Sequence, residues 1–142
     1  MPKKFRNQNA KRLKIMNSYF ALGLMSGTSL DGLDICYAKF SFEKNIWDFE
    51  ILEAETVPYS KDGTEKLAGA IGLSAVDLLE LNLEYGFYLG NKVEEFIKKN
   101  KIQNVDLIAS HGHTVHHQPN RKFTCQIGDG RAIKIKTNYP IV

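Results

Sequence analysis

Tyr19-Phe20-Ala21-Leu22-Gly23-Leu24-Met25 is a continuous apolar run of strand length. Such a run needs a cover on both faces, so it predicts a strand buried inside a layered sheet rather than one side of an exposed hairpin. A polar turn, Ser26-Gly27-Thr28-Ser29, follows it. Leu33 to Phe40 reads as a second strand, and Glu43-Lys44-Asn45 as a second turn. Trp47, Phe49, Ile51 and Val57 mark a third strand with partial alternation. Three strands joined by short polar turns predict an antiparallel meander. The aromatics Trp47, Phe49 and Tyr59 are expected to pack in the core or at a sheet edge.

The period then changes. Thr64 to Ile71 predicts a short helix closed by Gly72. Ser74 with Asp77 three residues on has the form of a capping box, and a long helix is expected from there to Lys101. Its apolar stripe is read as Leu79, Leu83, Gly86, Gly90, Val93 and Ile97. Gly86 and Gly90 each cost about 1 kcal/mol against alanine, a cost that close approach of the helix to a sheet would offset. Val105 to Ala109 predicts a short buried strand, making a strand–helix–strand crossover, and Phe123 to Ile127 another strand. Gly128-Asp129-Gly130 turns into a short helix, Arg131 to Thr137, which Asp129 is placed to cap. Tyr139 to Val142 reads as the start of a further strand, and the chain is expected to be the N-terminal part of something longer. The fold class is α/β, with a mixed sheet.

Charge excludes some functions. Lys3, Lys4, Arg6, Lys11, Arg12 and Lys14 give residues 1–17 a charge of +6, which leaves 13 basic and 16 acidic residues in the other 125. The folded part is mildly acidic, so the basic leader gives no case for nucleic-acid binding. The leader is either a disordered tail or an upstream extension of a chain that naturally starts at Met16. It lacks the apolar segment of a secretory signal, and no stretch approaches the roughly 20 apolar residues of a membrane span. Cys36 and Cys125 sit in strand-like runs and are expected to be buried, inert thiols of a reduced, cytosolic protein.

The segment richest in chemistry is Gly27-Thr28-Ser29-Leu30-Asp31-Gly32-Leu33-Asp34. Holding a phosphate takes backbone N–H groups aimed at one anion, glycine for close approach, and hydroxyl donors. The octapeptide has two glycines, two hydroxyls and two carboxylates able to order Mg²⁺ or its waters. A glycine-containing hairpin turn with surface hydroxyls is the alternative on composition alone. It is neither a Walker loop nor a dinucleotide fingerprint. All four histidines, His111, His113, His116 and His117, fall in one heptapeptide. With no cysteine or carboxylate cluster beside them, they are read as a loop at the carboxyl end of the Val105–Ala109 strand rather than as a metal site. There His111 and His113 would share a face. Asp106 is read as a turn residue.

Met25 to Asp34 closely resembles the N-terminal signature of the anhydro-N-acetylmuramic acid kinases. Ser110-His111-Gly112-His113-Thr114-Val115 is similar to that family's S-H-G-Q-T-V segment, and Phe123 to Asp129 to its F-T-x-Q-I-G-D segment. The family is an actin-like sugar kinase with two ribonuclease H-like lobes and ATP between them. It uses ATP and water to open the 1,6-anhydro ring of 1,6-anhydro-N-acetylmuramic acid and phosphorylate O6, in peptidoglycan recycling in the bacterial cytoplasm. The resemblance implies the N-terminal ribonuclease H-like (actin-like ATPase) lobe over residues 18–142, with ATP and Mg²⁺ as cofactors. Gly27, Thr28, Ser29, Leu30, Asp31, Gly32, Leu33 and Asp34 would form the ATP-phosphate segment, with Gly32 letting the backbone pass close to the nucleotide. His111, Gly112, Thr114, Gln126 and Asp129 would contact the sugar. The water-activating base would lie beyond Val142, leaving these residues alone inactive. A homodimer at full length is left open.

Two positions depart from related patterns. Met25 stands where many actin-like ATPases place an aspartate, in agreement with the anhydro-sugar kinases, and His113 stands where this family has glutamine. The rivals are a standalone non-catalytic lobe working with a partner chain, and a ribonuclease H-like nuclease using Asp31, Asp34 and Asp106 as metal ligands.

Overall fold

A computed structural model describes residues 18–142; the basic leader expected at 1–17 lies outside the described residues. Strands β1 (Ser18–Ser26), β2 (Gly32–Glu43), β3 (Ile46–Pro58), β4 (Leu107–Gln118) and β5 (Phe123–Ile127) form one mixed sheet in the order β3-β2-β1-β4-β5. β1, β2 and β3 are the expected antiparallel meander; β1 and β4 are parallel, and β4 and β5 antiparallel. Helices α1 (Lys61–Gly69), α2 (Ala75–Lys99) and α3 (Gly130–Thr137) complete the α/β fold, which is that of a ribonuclease H-like, actin-like ATPase lobe.

Local chemistry explains the joints. Lys44 and Asn45 both take positive φ, as the tight β2–β3 turn requires. Ser74 accepts from the Asp77 amide (3.2 Å) and donates to its carboxylate (2.6 Å), capping α2 as its sequence predicts. Asp106 ties the start of β4 to β1: its carboxylate accepts from the Phe20 amide (2.7 Å), and its own amide donates to the Phe20 carbonyl (2.8 Å). α1 starts at Lys61, not Thr64, because Ser60 caps it by accepting from the Gly63 amide (3.1 Å).

The core lies between one face of the sheet and the helices. Leu22, Leu24, Leu33, Ile35 and Ile108 meet Leu81, Tyr85, Leu89, Val93 and Phe96 there. The expected stripe of α2 is therefore wrong in its first half, where Leu79 is 69% exposed and Leu83 44%. The buried row is Leu81–Tyr85–Leu89–Val93–Phe96, spaced by four, four, four and three. The two glycines of α2 approach α3 and not the sheet: a Cβ on Gly86 would meet the Asp129 carbonyl at 2.5 Å, and one on Gly90 would meet Lys136 Cβ at 2.7 Å.

β1 is central in the sheet but covered on one face only. Tyr19 and Met25 are exposed, beside Phe40, Trp47 and Phe49 from β2 and β3. The Phe42–Trp47 (5.0 Å) and Tyr19–Trp47 (6.1 Å) rings pack on each other there. β4 is longer than expected. His111 to Gln118 is strand, not loop, because β5 folds back to pair with it from His113 to Gln118. The terminal segment adds a parallel bridge, Ile141 to Ile108, on the edge of β4 that β5 leaves free. Cys36 and Cys125 are free thiols, partly buried rather than buried.

Candidate functional site

β1 and β4 run parallel, so their carboxyl ends fall at one edge, and the chain reverses direction across the sheet there because β2 leaves β1 on its other side. Open α/β sheets place ligands at such a switch point. The three chemistry-bearing segments all reach it. Gly27 to Asp31 follow β1, His111 to Thr114 lie in β4, and Gln126 to Asp129 end β5.

Contacts join them in pairs. Ser26 Oγ is 3.0 Å from His113 Nδ1, and the two residues are register partners. The Gln126 amide donates to His111 Nε2 at 3.1 Å, and Thr114 lies opposite Gln126. Gly112 takes φ +67°, and a Cβ there would stand 2.4 Å from the Ile127 carbonyl. Only glycine fits, and its left-handed conformation breaks the strand alternation. His111 and His113 consequently do not share an environment as expected: His111 is exposed, and His113 is 4% exposed beneath the sheet.

The Gly27 segment is a tight turn. The Leu30 amide donates to the Gly27 carbonyl (3.3 Å), with Leu30 itself at φ 57°. Ser29 donates to the Asp31 carboxylate (2.9 Å), and Thr56 of β3 donates to Asp34 (2.5 Å). Thr28, Ser29 and Asp31 thus present two hydroxyls and one oriented carboxylate on an exposed turn. The remaining members are structural. Leu33 is fully buried in the core, and Leu30 packs against that core. A Cβ on Gly32 would stand 2.6 Å from the Val57 carbonyl, so β3 by itself demands this glycine. Asp34 sits on the open face of the sheet, opposite Met25.

Shallow depressions surround this edge. One, of about 160 Å³, lies between Thr28 and Leu30 of the turn, Leu67 and Ile71, and His113 and Thr114. Another, of about 540 Å³, is lined by Met25, Asp34, Ser110 and His111. A third, of about 520 Å³, is lined by Ser110, Asp129, Arg131 and Lys134. Asp129 caps α3 by accepting from the Arg131 (2.7 Å) and Ala132 (3.2 Å) amides. The Arg131 guanidinium beside it holds its carboxyl down at about 2. Burial pushes His113 below its ordinary value.

The sequence did not point to Asn82, whose side chain accepts from the Gly128 amide (2.8 Å) and whose carbonyl accepts from that of Asp129 (3.1 Å). Nor did it point to Ser26, Tyr59 and Tyr85. Tyr59 donates to Ser26 Oγ (2.7 Å) and is 2.7 Å from Tyr85 OH. The spacing of Leu81, Tyr85 and Leu89 carried the signal for Tyr85. Nothing local marked Asn82.

Carboxylates do not converge. Asp106 lies beside Phe20, six residues of β1 away from Ser26, roughly 20 Å at strand rise. Two-metal chemistry needs its metals about 3.5–4 Å apart, so the nuclease reading fails on Asp106. Among the described residues there is no group of three His, Cys, Asp or Glu able to hold a metal, and no helix long and apolar enough to cross a membrane.

The family model of anhydro-N-acetylmuramic acid kinase matches residues 19–142, and so takes in all three segments. The chain belongs to the anhydro-N-acetylmuramic acid kinase family. Relatives carrying that kinase name agree with it. One from Bacillus thuringiensis (strain Al Hakam) is 32% identical over 137 residues, covering 89% of this chain and 36% of the relative. Those from Bacillus thuringiensis subsp. konkukian (strain 97-27) and Bacillus cereus (strain G9842) are each 32% identical over 133 residues, covering 87% of this chain and 35% of theirs. The chain thus spans about a third of the length of these kinases.

Proposed function

We propose that this chain is the phosphate-binding lobe of a cytoplasmic sugar kinase. The kinase would open the anhydro ring of 1,6-anhydro-N-acetylmuramic acid with water and phosphorylate O6 from ATP, giving N-acetylmuramic acid 6-phosphate. The observation that supports it most is the convergence of the Gly27–Asp31 turn, His111–Thr114 and Gln126–Asp129 at one switch point of the sheet.

ATP supplies the transferable phosphoryl group, with Mg²⁺ to offset its charge. The residues present fit that role on the chemistry of their donors: the turn offers exposed Thr28 and Ser29 hydroxyls beside a carboxylate that Ser29 already orients. Thr28, Ser29 and the amides around them hold charge where it builds up during transfer, which with positioning supplies most of phosphoryl-transfer catalysis. Asp31 is the carboxylate that would order Mg²⁺ or its waters, which would offset phosphate charge. Asp34 sits in β2 opposite Met25 rather than on the turn, and plays the lesser part. His111 and Gln126 brace each other, with His111 Nδ1 turned to the Gly112 carbonyl (3.4 Å), and Gln126 presents its remaining amide groups toward sugar hydroxyls, while Asp129, held ionised by Arg131, accepts from one.

The base that activates water belongs to residues beyond Val142, and residues 18–142 alone do not turn over. The test has two arms. The complete natural protein, given Mg-ATP and the anhydro sugar, yields the 6-phosphate by mass spectrometry, and Asp31→Asn lowers kcat with little change in melting temperature. The 142-residue chain yields no product. Unchanged kcat in Asp31→Asn removes Asp31 from the mechanism, and product from the chain alone removes the missing-base reading.

A further inference from the structure

Ser26, the residue immediately before the phosphate turn, is 2% exposed, and His113 is 4% exposed. They are the two buried polar residues of the core, and a chain of hydrogen bonds runs through them: Tyr85 to Tyr59 (2.7 Å), Tyr59 to Ser26 (2.7 Å), Ser26 to His113 (3.0 Å). Its direction follows from counting protons. Tyr59 donates to Ser26, so Tyr59 oxygen accepts from Tyr85. With Tyr59 donating to Ser26, the Ser26 hydroxyl has His113 Nδ1 as its acceptor, which puts the lone pair on Nδ1 and the ring proton on Nε2.

We propose that His113 is a positioning residue: through Ser26 it fixes the Gly27–Leu30 turn in its phosphate-holding geometry, and protonation of its imidazole releases that turn. A proton on Nδ1 turns that nitrogen from the acceptor of the Ser26 hydroxyl into a competing donor. It also places a charge in the 160 Å³ depression that His113 shares with Thr28 and Leu30. The Ser26 backbone favours the charged ring, but burial outweighs it, and no side chain packed around the ring carries a charge to offset it. α2 presents Tyr85 edge-on at 6.3 Å, and the link from β3 to α1 presents Tyr59, both neutral phenols. The turn, α1, β1 and β5 present Thr28, Leu67, Ser26 and Ile127, none of which carries a charge. Desolvation holds the imidazole neutral below its ordinary range, in line with this geometry. A glutamine at this position would offer a carbonyl acceptor that does not titrate, which makes His113→Gln the variant that separates positioning from pH dependence.

The functional half of this inference rests on the phosphate-turn reading; the positioning half does not. The experiment is an NMR titration of the 142-residue chain from pH 7.5 to 4.5. It reads histidine ring ¹⁵N shifts and the shifts and hydrogen exchange of the Gly27–Leu30 amides. The same titration is run on His113→Gln and His113→Phe, with Mg-ATP added at each end. Wild type shows the Nε2–H tautomer at pH 7.5, and the turn amides follow the His113 titration. His113→Gln keeps their protection and loses the pH dependence. His113→Phe speeds their exchange roughly tenfold, the size of one buried donor left unpaired. An Nδ1–H tautomer, or turn amides that stay put while His113 titrates, overturns the proposal, as does a His113→Gln that exchanges as fast as His113→Phe. If His113→Phe does not fold, the wild-type titration and His113→Gln decide alone. Turn amides that track His113 while Mg-ATP shifts none of them sink the phosphate reading and leave the positioning role standing.

Discussion

Replacing Gly86 with alanine sets two effects of opposite sign against each other. Alanine is about 1 kcal/mol better than glycine in a helix interior, so propensity alone predicts a gain. The structure predicts a loss. The new methyl would sit 2.5 Å from the Asp129 carbonyl oxygen, 2.8 Å from its amide nitrogen and 2.9 Å from Ala132 Cβ. Two of those three atoms are backbone, and neither can swing aside. The Asp129 amide is bonded to the Asn82 carbonyl (3.1 Å), and the Asp129 carbonyl to the Ile133 amide (3.2 Å). To restore ordinary contact, α3 must move off by nearly 1 Å and strain both bonds. Overpacking of this kind costs about 1–3 kcal/mol, more where backbone is held from both sides. With both backbone atoms held, the upper part of that range applies, about 2–3 kcal/mol, and helix propensity offsets about 1, leaving a net loss of about 1–2 kcal/mol. Gly69→Ala is the control: Gly69 ends α1 in right-handed helical backbone with nothing within 4 Å, so it gains about 0.4–1 kcal/mol. Urea unfolding followed by circular dichroism measures both, with the midpoint moving down for Gly86→Ala and up for Gly69→Ala at constant slope. A Gly86→Ala chain as stable as wild type would show that α2 and α3 slide freely, and would refute the close-contact account of this glycine.

Other perturbations follow the same logic. Asp106→Ala strands the buried end of the β1–β4 junction, where its carboxylate caps the Phe20 amide, and lowers unfolding free energy by about 1–3 kcal/mol in the same assay. Ser74→Ala removes the cap of α2 and costs about 1 kcal/mol, while far-ultraviolet spectra at low temperature stay unchanged. Asp129, with its folded carboxyl near 2 against an ordinary 3.8, binds fewer protons folded than unfolded below that value. Its stabilising contribution is complete above about pH 4 and is lost as pH falls toward 2. Arg131→Met raises the midpoint of Asp129 measured by carboxyl ¹³C shifts, and an unmoved midpoint would remove Arg131 as the cause.

What was legible in the sequence followed from strong, local signals. The Tyr19–Met25 run marked a strand, though one covered on a single face where its continuous apolar character predicted cover on both, and Ser74 with Asp77 fixed the start of α2 because a cap depends on residues three apart. Helix α2 itself was ambiguous, since Leu78, Leu79, Leu81, Leu83, Phe87 and Leu89 put apolar residues nearly all round it. Counting Tyr85 as core resolves the face, and its burial depends on a phenol finding a partner in Tyr59, a contact that periodicity does not encode. The length of β4 was hidden for a different reason. His111, Gly112, His113 and Thr114 have neither apolar alternation nor helical period, and they hold strand geometry because β5 returns to pair with them. The three site motifs were readable as motifs. Their meeting was not, because it depends on β1 and β4 lying side by side, and parallel pairing leaves no local mark. The resemblance to a kinase family bridged that gap for the turn, but it was the packing of β3 that separated Gly32 and Leu33, which build the sheet, from Thr28, Ser29 and Asp31, which face outward.

The parallel pairing of β1 with β4 also dictates when this site comes into being. Ser26 and His113 are 87 positions apart, and Phe20 and Asp106 are 86. On a ribosome adding about 5–20 residues per second, the three meander strands, which end at Pro58, leave the tunnel roughly 2.5–10 s before β4 begins to emerge at Leu107. The antiparallel meander, whose contacts are short in sequence, can pair during that interval. Its inner edge, the side of β1 that β4 will occupy, waits with its amides bare. The turn after β1 is synthesised early yet has no buried anchor until the last third of these residues arrives. A nascent chain stalled before His113 would carry the whole Gly27–Asp34 sequence and none of its floor, so the turn is held by residues made long after it rather than by its own.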